Sequence, residues 1–510
     1  MKQRVWGGTE LEKLTAAQLM DVFSLSEETW SRLADGMVEP LDGAFDDGPT
    51  TWSGHAFARW LAAAHPEWAG AGPLLLRPAP QTESHYLGGE YRDSDDGTDV
   101  HAEYFAGRWD TQEGVIAVVF PCEGMPDGRS LLDLHTDTAS LVVVGHVYGF
   151  DGPELEAVDR KRPELVYHPS WAELAAHLGG PAPWWPSALR REAHLTAWQP
   201  GDAPVPVEVV TFPSWEPLHA LARQEPEGSP VRRACFTIGH RIRSGAAENA
   251  LWEMENLQSW SGGPEVSMVY PAVPDTADPG PGELATDDVV GAGLAELCGR
   301  TDDLAVECLE QVSGWSGAED LPYGGTFDVT RTDLTRAAAE WINRLRAVPP
   351  TALHRVWEEA YHTVGTFVDP VTGSPVVAVK GKFLFRGCHE ITYIGRAPKR
   401  LPAGSVLKEV VLDDPVWVRT DDGVLYPAPA MDAPGLSWGY GGSGPRTLAQ
   451  CVGRLLDDGG AHAVTYGDDR KEEPGLGAYF RIKHKRGTHL SRRDLLRART
   501  VAGPHGRTAS

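Results

Sequence analysis

The glycine spacing of the segment Trp438–Pro445, WGYGGSGP, is one that phosphate-binding loops use. Gly439 and Gly444 are separated as the glycines of a P-loop are, and a P-loop continues with Lys and then Ser or Thr, which reach the phosphates and Mg²⁺. Here Pro445 and Arg446 follow, and proline lacks a backbone N–H that the phosphate cradle needs. The sequence therefore argues against nucleotide hydrolysis at this loop.

The same glycines begin a nucleophile-elbow pattern, but Pro445 stands where its second glycine should be,. A structural role is favoured: the glycines form a tight turn, Ser443 or Gly444 caps a helix, and Pro445 takes the first helical position. The chemical alternative is an anion-binding loop, because backbone N–H groups at a helix start can contact phosphate. That loop would consist of Gly441, Gly442, Ser443 and Gly444.

Two other clusters contain side chains that bind metals. Asp133, His135 and Asp137 alternate, so a strand would place all three on one face, where they could hold a divalent metal,. A polar sheet face explains this pattern equally well. The adjacent residues Cys388–Glu390 would point to opposite faces of a strand and could not easily converge. We expect no metal, no cofactor and no catalytic residue.

Charge is distributed unevenly along the chain, whose formal net charge is −26. From Tyr479 to Ser510 there are nine Arg or Lys residues and one acid, Asp494. An acidic body repels nucleic acid, whereas a basic end attracts it. We therefore predict that any DNA contact lies in this segment; its alternatives are a solvated tail and ion pairs with the acidic body. The predicted nucleic-acid-binding residues are Arg481, Lys483, Lys485, Arg486, Arg492, Arg493 and Arg497.

Composition indicates a cytoplasmic chain of several domains. The 510 residues are long for one hydrophobic core, and no apolar run approaches the roughly 20 residues that span a bilayer,. The basic N-terminal residues are not followed by an apolar signal stretch, so we expect no membrane contact. Six scattered cysteines without a CxxC pair indicate reduced thiols,. The abundance of Arg, Gly, Pro, Ala and Trp is typical of high-GC organisms such as actinobacteria.

Residues 14–68 have the pattern of three short helices. Thr15 and Gln18 form a capping box, Ser26 caps a second helix, and Ser53 opens a third,. Trp30 is predicted in the core, as is Trp60. The polar stretch between the second and third helices, EPLDGAFDDGP, has the length of a hairpin or wing.

This order of elements resembles the small winged helix-turn-helix domains of the excisionase and MerR type. The resemblance implies that the start of the second helix approaches DNA. In this chain that helix begins with Glu27 and Glu28, and the wing carries Asp42, Asp46 and Asp47. Because phosphate attraction supplies most non-specific affinity, an acidic N-terminal domain also fits protein partners or a purely structural role.

The middle of the chain predicts mixed α/β structure from about 80 to 270. Strands are predicted at Val115–Phe120, Ser140–Tyr148 and Val205–Phe212,. Ser170 and Ser214 each follow a strand end and are predicted helix caps. The segment Pro271–Gly282, PAVPDTADPGPG, is predicted to be an exposed connection. Residues 284–365 are predicted to be helical, with caps at Thr286, Thr301 and Thr332.

Residues 376–500 are predicted to form a small α+β domain. Its strands are predicted at Val376–Val379, Phe383–Phe385, Ile391–Ile394, Val406–Val411 and Val416–Val418. A small β unit, then WGYGGSGP and a helix, and finally a Lys/Arg-bearing helical segment (AYFRIKHKRGTHLSRRDLL, capped at Ser491) resemble an uncharacterised bacterial domain family. That family brings no established activity.

These observations predict an α+β multi-domain chain. Its parts are a winged helix-turn-helix-like domain (1–70), a mixed α/β domain (80–270), a helical region (284–365) and a C-terminal α+β domain (376–500). The leading functional hypothesis is a non-enzymatic, DNA-associated or regulatory accessory protein of an actinobacterial mobile element or chromosome. The alternatives are a protein-interaction adaptor without nucleic-acid binding and an enzyme whose unrecognised site lies in residues 80–270.

Overall fold

The computed structural model describes residues 9–10, 14–33, 51–68, 70, 72–79, 83–92, 102–124, 127–147, 153–260, 267–276, 284–316, 320–332, 334–360, 362–380, 391–431, 435–465 and 474–500. Helices and several sheets follow one another along the chain, which confirms the predicted mixture of α and β structure. The chain divides into two compact units, residues 1–210 with 243–278 and residues 211–242 with 279–510. In the described ranges, no helix is long and apolar enough to cross a membrane. Residues 284–365, predicted to be helical, also contain the strands Tyr323–Thr330 and Arg346–Ala347, so that prediction is wrong in part. The division into four parts stays a prediction.

The helices are α1 (Ala16–Val22), α2 (Glu27–Leu33), α3 (Gly54–Ala64), α4 (Gly128–Leu134), α5 (Trp171–Leu178), α6 (Glu192–Ala197), α7 (Glu216–Gln224), α8 (Pro230–Trp260), α9 (Asp287–Cys298), α10 (Asp303–Ser316), α11 (Arg336–Arg344), α12 (Ala352–Ala360), α13 (Ser443–Asp457), α14 (Pro474–Arg481) and α15 (Arg492–Thr500).

The strands are β1 (Thr9–Glu10), β2 (Leu14–Thr15), β3 (Thr51–Trp52), β4 (His85–Arg92), β5 (Glu103–Thr111), β6 (Gly114–Glu123), β7 (Thr138–Val147), β8 (Pro153–Asp159), β9 (Arg162–Tyr167), β10 (Ala182–Pro183), β11 (Val205–Val207), β12 (Met268–Val269), β13 (Ala272–Pro274), β14 (Tyr323–Thr330), β15 (Arg346–Ala347), β16 (Thr363–Val368), β17 (Pro375–Lys380), β18 (Ile391–Pro398), β19 (Leu407–Leu412), β20 (Trp417–Thr420), β21 (Leu425–Pro427) and β22 (Thr488–Ser491).

A seven-stranded sheet forms the centre of the first unit, in the order β1-β9-β8-β7-β6-β5-β4. The predicted strands at 115–120 and 140–148 are its central strands β6 and β7, which run parallel to each other. A parallel pair needs a crossover, and α4 lies in that connection. Both faces of β6 are buried: Val118 belongs to one apolar cluster, and Val119 packs with Leu131 of α4 in another. The uninterrupted apolar run of β6 is typical of such a strand.

The N-terminal helices pack into the core of the first unit. The Gln18 backbone N–H donates to the Thr15 hydroxyl at 3.4 Å, and the Gln18 side chain accepts from the Thr15 N–H at 2.9 Å, which confirms the capping box. Trp30 and Trp60 are partly buried against a core that includes Phe57. Residues 34–50, which contain the predicted wing, lie outside the described residues, and the winged helix-turn-helix resemblance stays a prediction.

The idea that Asp133, His135 and Asp137 share a strand face is wrong. Asp133 lies in α4, His135 ends that helix, and Asp137 is in the turn before β7. The Asp137 carboxylate pairs with Arg108, and His135 Nε2 lies 3.3 Å from the Tyr104 hydroxyl. In the part of the chain that the structure describes, no group of side chains could hold a metal ion. Residues 388–390 lie outside that part.

The prediction of an exposed connection at Pro271–Gly282 is wrong for its first half. Residues 272–274 form β13, which pairs in parallel with β11, and Ala272 is buried. The Pro271 carbonyl accepts from the Val205 N–H at 3.1 Å, so proline, which lacks only a donor, can still take part in a short pairing,. Residues 277–282 lie outside the described residues. The strand predicted at Val205–Phe212 is shorter and ends at Val207.

The cap of α5 is as predicted. The Ser170 hydroxyl accepts from the Glu173 N–H at 3.3 Å, and the Glu173 carboxylate accepts from the Ser170 N–H at 2.7 Å. The predicted cap at Ser214 is wrong by one residue, because Trp215 is the N-cap residue of α7. The Ser214 hydroxyl accepts from the Glu216 N–H at 3.3 Å.

Two other caps lie one and three residues after the predicted ones. Asp302, not Thr301, accepts from the Ala305 N–H at 3.1 Å to begin α10. Thr335, not Thr332, accepts from the Ala338 N–H at 3.2 Å to begin α11. Asp is a better cap than Thr, which agrees with the choice of Asp302 over Thr301. Thr332 and Thr335 are the same residue type, so residue type alone cannot choose between them.

Two antiparallel sheets organise the second unit. One has the order β14-β18-β17-β16-β15 and the other the order β21-β20-β19-β22. The predicted strands at 376–379, 391–394, 406–411 and 416–418 correspond to β17 through β20, whereas residues 383–385 lie outside the described residues. In the four-stranded sheet, β22 pairs with β19 and so places the C-terminal basic segment beside a central strand. Its apolar side packs against α13, α14 and α15.

Candidate functional site

The glycine-rich motif is a turn built around the ring of Tyr440. Gly439 has a φ of +91°, which favours glycine,. A Cβ on Gly442 would lie 2.5 Å from the Tyr440 ring, and a Cβ on Gly444 would lie 1.9 Å from the Ser437 hydroxyl oxygen. That hydroxyl is 2.8 Å from the Tyr440 hydroxyl and closes the turn. These glycines therefore meet steric needs of the turn.

Helix α13 starts earlier than the sequence suggests. It begins at Ser443 with Gly442 as the N-cap residue and without a side-chain cap, so the predicted cap at Ser443 or Gly444 is wrong, and Pro445 occupies the third helical position. Residues 441–443 of the candidate anion-binding loop are exposed, whereas Gly444 is buried. First-turn N–H groups have no intrahelical acceptor, and this helix end is partially positive.

The motif holds the basic segment in place. The Trp438 indole N–H donates to the His484 carbonyl at 3.0 Å, and the Gly439 N–H donates to the Phe480 carbonyl at 2.8 Å. A Cβ on Gly439 would lie 3.6 Å from Cγ of Lys483. The structure therefore brings together the glycine-rich loop and the basic segment, which the sequence presented as separate features.

Some of the predicted nucleic-acid-binding residues have structural partners. Arg486 Nε lies 2.5 Å from a carboxylate oxygen of the buried Asp413. Arg492 donates to two backbone carbonyl groups at 3.1 and 3.4 Å, which ties the start of α15 to the neighbouring chain. Arg499, a further cation of α15, pairs with Asp457 at 2.6 Å. The charges and hydrogen-bond donors of these arginines are therefore largely satisfied by carboxylates and carbonyl groups of the protein itself.

Other predicted residues point their charge at solvent. Lys483, Lys485, Arg493 and Arg497 are exposed, and none of them forms a salt bridge with a described residue. Asp494 interacts electrostatically with Arg497 and Arg493. Arg481 is also exposed. We call the set Lys483, Lys485, Arg493 and Arg497 the basic surface.

Tyr479 packs against His484 in the loop that carries Lys483 and Lys485, and it interacts electrostatically with Asp494 of α15. Its ring lies 4.8 Å from the His484 ring, and the His484 Nε2 lies 3.1 Å from the Tyr479 carbonyl oxygen. Burial raises the pKa of Tyr479, and the charge of Asp494 on α15 raises it further. The Ser491 hydroxyl and, more weakly, the charges of Arg497 and Arg493 lower the pKa of Asp494, so this carboxylate interacts with two cations of the basic surface.

Two exposed side chains beside this loop were not predicted as site residues from the sequence. Arg446 is exposed in the first turn of α13, and Tyr440 is half exposed. The position of Arg446 directly after the proline of a helix start was the signal that could have identified it. Together with the basic surface, an exposed helix start and an exposed aromatic ring can bind phosphate groups and stack on a base.

Comparison with protein-family models, with curated proteins and with solved structures gives no match to this chain. Inference about function therefore rests on the geometry above.

Proposed function

We propose that this protein is a non-enzymatic, DNA-associated accessory or regulatory protein whose second unit binds the phosphate backbone. The observation that carries the proposal is the basic surface: four exposed cations that form no salt bridge with a described residue, in a chain of net charge −26. Asp494, the one acid of α15, interacts with Arg497 and Arg493 and leaves the surface with an excess of positive charge. A strongly acidic chain offers abundant carboxylates for ion pairing. Cations that remain exposed and form no salt bridge in such a chain favour an external polyanion over internal neutralisation.

The expected binding is non-specific in sequence. Lys and Arg contacts to phosphate oxygens carry no direct sequence information. Each neutralised phosphate releases counterions, so the affinity falls with salt, and each contact adds about one to the slope of log K against log salt. The acidic remainder of the chain repels DNA and would keep contact confined to the basic surface.

The test uses the full chain and a random-sequence DNA duplex at several salt concentrations. One variant combines Lys483→Glu, Lys485→Glu, Arg493→Glu and Arg497→Glu. A matched control combines Arg32→Glu, Arg223→Glu, Arg331→Glu and Arg346→Glu, which are exposed arginines elsewhere and give the same change in net charge. Circular dichroism checks that both variants are folded.

We expect the basic-surface variant to lose DNA retention and the control to keep most of it. Unchanged retention in a folded basic-surface variant would contradict the proposal. Equal loss in both variants would also contradict it, because net charge rather than this surface would then govern binding.

A second candidate function is a protein-interaction adaptor. It is favoured by the start of α2, where Glu27 and Glu28 are exposed at the place that would approach DNA in a helix-turn-helix,. Absence of DNA binding by the unmodified chain at low salt would favour this candidate over the first.

A further inference from the structure

A cleft of about 660 Å³ opens at one end of the seven-stranded sheet of the first unit. The turns β5–β6 and β8–β9 and the start of β7 contribute to its lining. Sites for small molecules typically have volumes of roughly 300–1,000 Å³. The cleft is therefore large enough for a small organic ligand.

Four cations line this cleft, and two of them lack a carboxylate partner. Arg77 and Arg162 pair with glutamates at 3.3 and 2.5 Å. Arg160 and Lys161, adjacent in the β8–β9 turn, form no ion pair with any described residue, and Lys161 is exposed. Two neighbouring positive charges are thus left for a ligand.

Arg160 is held rigidly without being neutralised. Its Nε donates to the Thr138 carbonyl at 2.8 Å, and its Nη2 donates to the His135 carbonyl at 2.7 Å and to the Leu132 carbonyl. These acceptors are uncharged, so the guanidinium keeps its full charge, and its Nη1 has no acceptor among the described residues. A fixed, unneutralised guanidinium is well suited to bind an oxyanion, because little ordering is left to occur on binding.

The carboxylates of the cleft have partners other than Arg160 and Lys161. The two oxygens of Asp159 accept from the Tyr167 hydroxyl and from the Leu74 N–H, each at 2.7 Å. Asp137 pairs with Arg108. None of them forms an ion pair with Arg160 or Lys161.

A buried hydroxyl in the lining has no partner. Thr138 lines the cleft and is fully buried, and its hydroxyl forms no hydrogen bond with a described residue. Such unsatisfied groups are rare in folded proteins, since each costs free energy. A ligand oxygen would satisfy it.

We propose that this cleft binds a small organic phosphate monoester. The phosphate dianion would lie against Arg160 and Lys161 and accept from Thr138, and the organic part would pack against the apolar side chains of the lining, which include Val22 and Leu165. Two adjacent cations match a dianion better than they match a single carboxylate charge. This site belongs to the first unit and does not depend on DNA binding by the second.

Isothermal titration calorimetry of the full chain with phenyl phosphate, inorganic phosphate and phenol tests the proposal. We expect saturable binding of phenyl phosphate, weaker binding of inorganic phosphate and none of phenol. Lys161→Ala should weaken phenyl phosphate about tenfold, the range expected for a hydrogen bond to a charged group. Thr138→Val should weaken it without lowering stability, and the exposed control Lys408→Ala should leave it unchanged.

Absence of saturable binding by phenyl phosphate would overturn the proposal. So would equal affinity in folded Lys161→Ala and unmodified protein, because phenyl phosphate would then bind elsewhere, for instance at the basic surface. Inorganic phosphate that binds as tightly as phenyl phosphate would contradict an organic ligand. Tight binding of phenol would show that the cleft does not select an oxyanion.

Discussion

The Trp438 indole N–H donates a 3.0 Å hydrogen bond to the backbone carbonyl of His484. This bond joins the turn before α13 to the loop that carries Lys483 and Lys485. The motif and the basic segment therefore act as one structural element, and a change at Trp438 should be detected at the loop.

Trp438→Phe should loosen that loop without changing charge. Loss of one hydrogen bond from a partly buried donor should cost about 1 kcal/mol of stability. We expect faster amide hydrogen exchange in residues 481–487 and weaker DNA binding. Trp252→Phe, at a largely exposed tryptophan, is the control. Unaltered exchange in Trp438→Phe would show that the indole does not hold the loop.

Arg486→Ala should act mainly on stability, and Lys485→Ala should act mainly on DNA binding. Arg486→Ala removes a donor from the buried Asp413 carboxylate and should cost about 1–3 kcal/mol,. Lys485→Ala should change stability by less than about 0.5 kcal/mol, but should lower the salt slope of DNA binding by about one. Chemical denaturation and titrations at several salt concentrations measure the two effects. The reverse assignment would contradict the division between structural and solvent-facing cations.

Gly293→Ala and Gly291→Ala should change stability in opposite directions although both lie in α9. A Cβ on Gly293 would lie 2.2 Å from the Pro230 carbonyl oxygen and 2.6 Å from Cβ of Ala234. Because backbone cannot move aside cheaply, we expect a loss of about 1–3 kcal/mol. A Cβ on Gly291 meets nothing within 4 Å, so that change should add about 0.5–1 kcal/mol through helix propensity. Thermal unfolding of each full-length variant measures both.

His55 should make the first unit less stable in mild acid. Its pKa is lowered to about 4, first by burial and then by the nearby charges of His168 and Arg59. Its Nε2 accepts from the His168 N–H at 2.8 Å, which requires an unprotonated nitrogen. The unfolded chain, with a His pKa near 6.5, binds this proton more readily. The contribution of unprotonated His55 to the free energy of unfolding is therefore fully present above pH 6.5 and is lost as the pH falls toward 4.

Urea unfolding between pH 7 and about 4.5 measures that dependence. His55→Gln, whose side-chain oxygen can still accept the hydrogen bond, should reduce the slope of stability against pH by up to one proton. His85→Gln, at an exposed histidine, should not. Equal slopes in the two variants would show that His55 is not the group responsible.

Local structure could be predicted from the sequence where interactions between residues close in sequence determine it. The Thr15–Gln18 capping box and the Ser170 cap are as predicted, because side chains three residues apart satisfy each other's backbone groups without help from the rest of the chain,. The apolar runs of β6 and β7 predicted buried strands for the same local reason.

Secondary structure predicted from the local sequence pattern was wrong where pairing between distant segments determines the structure. Alternation of Asp133, His135 and Asp137 suggests a strand, yet α4 is required there as the crossover between two parallel strands. Prolines at 271 and 274 suggest an exposed linker, yet the segment pairs with the strand Val205–Val207, which lies 67 residues earlier in the chain. Neither requirement is visible within a short window of sequence.

The sequence by itself determined that positive charge is concentrated near the C-terminus and that a glycine-rich turn precedes α13. Only the tertiary structure decided that these two features meet, that Arg486 serves Asp413 while Lys483 faces solvent, and that Arg160 and Lys161 remain unpaired at a cleft. The physical reason is that charge is a property of the residue, whereas its neutralisation depends on which carboxylates and carbonyls the fold brings within a few ångströms.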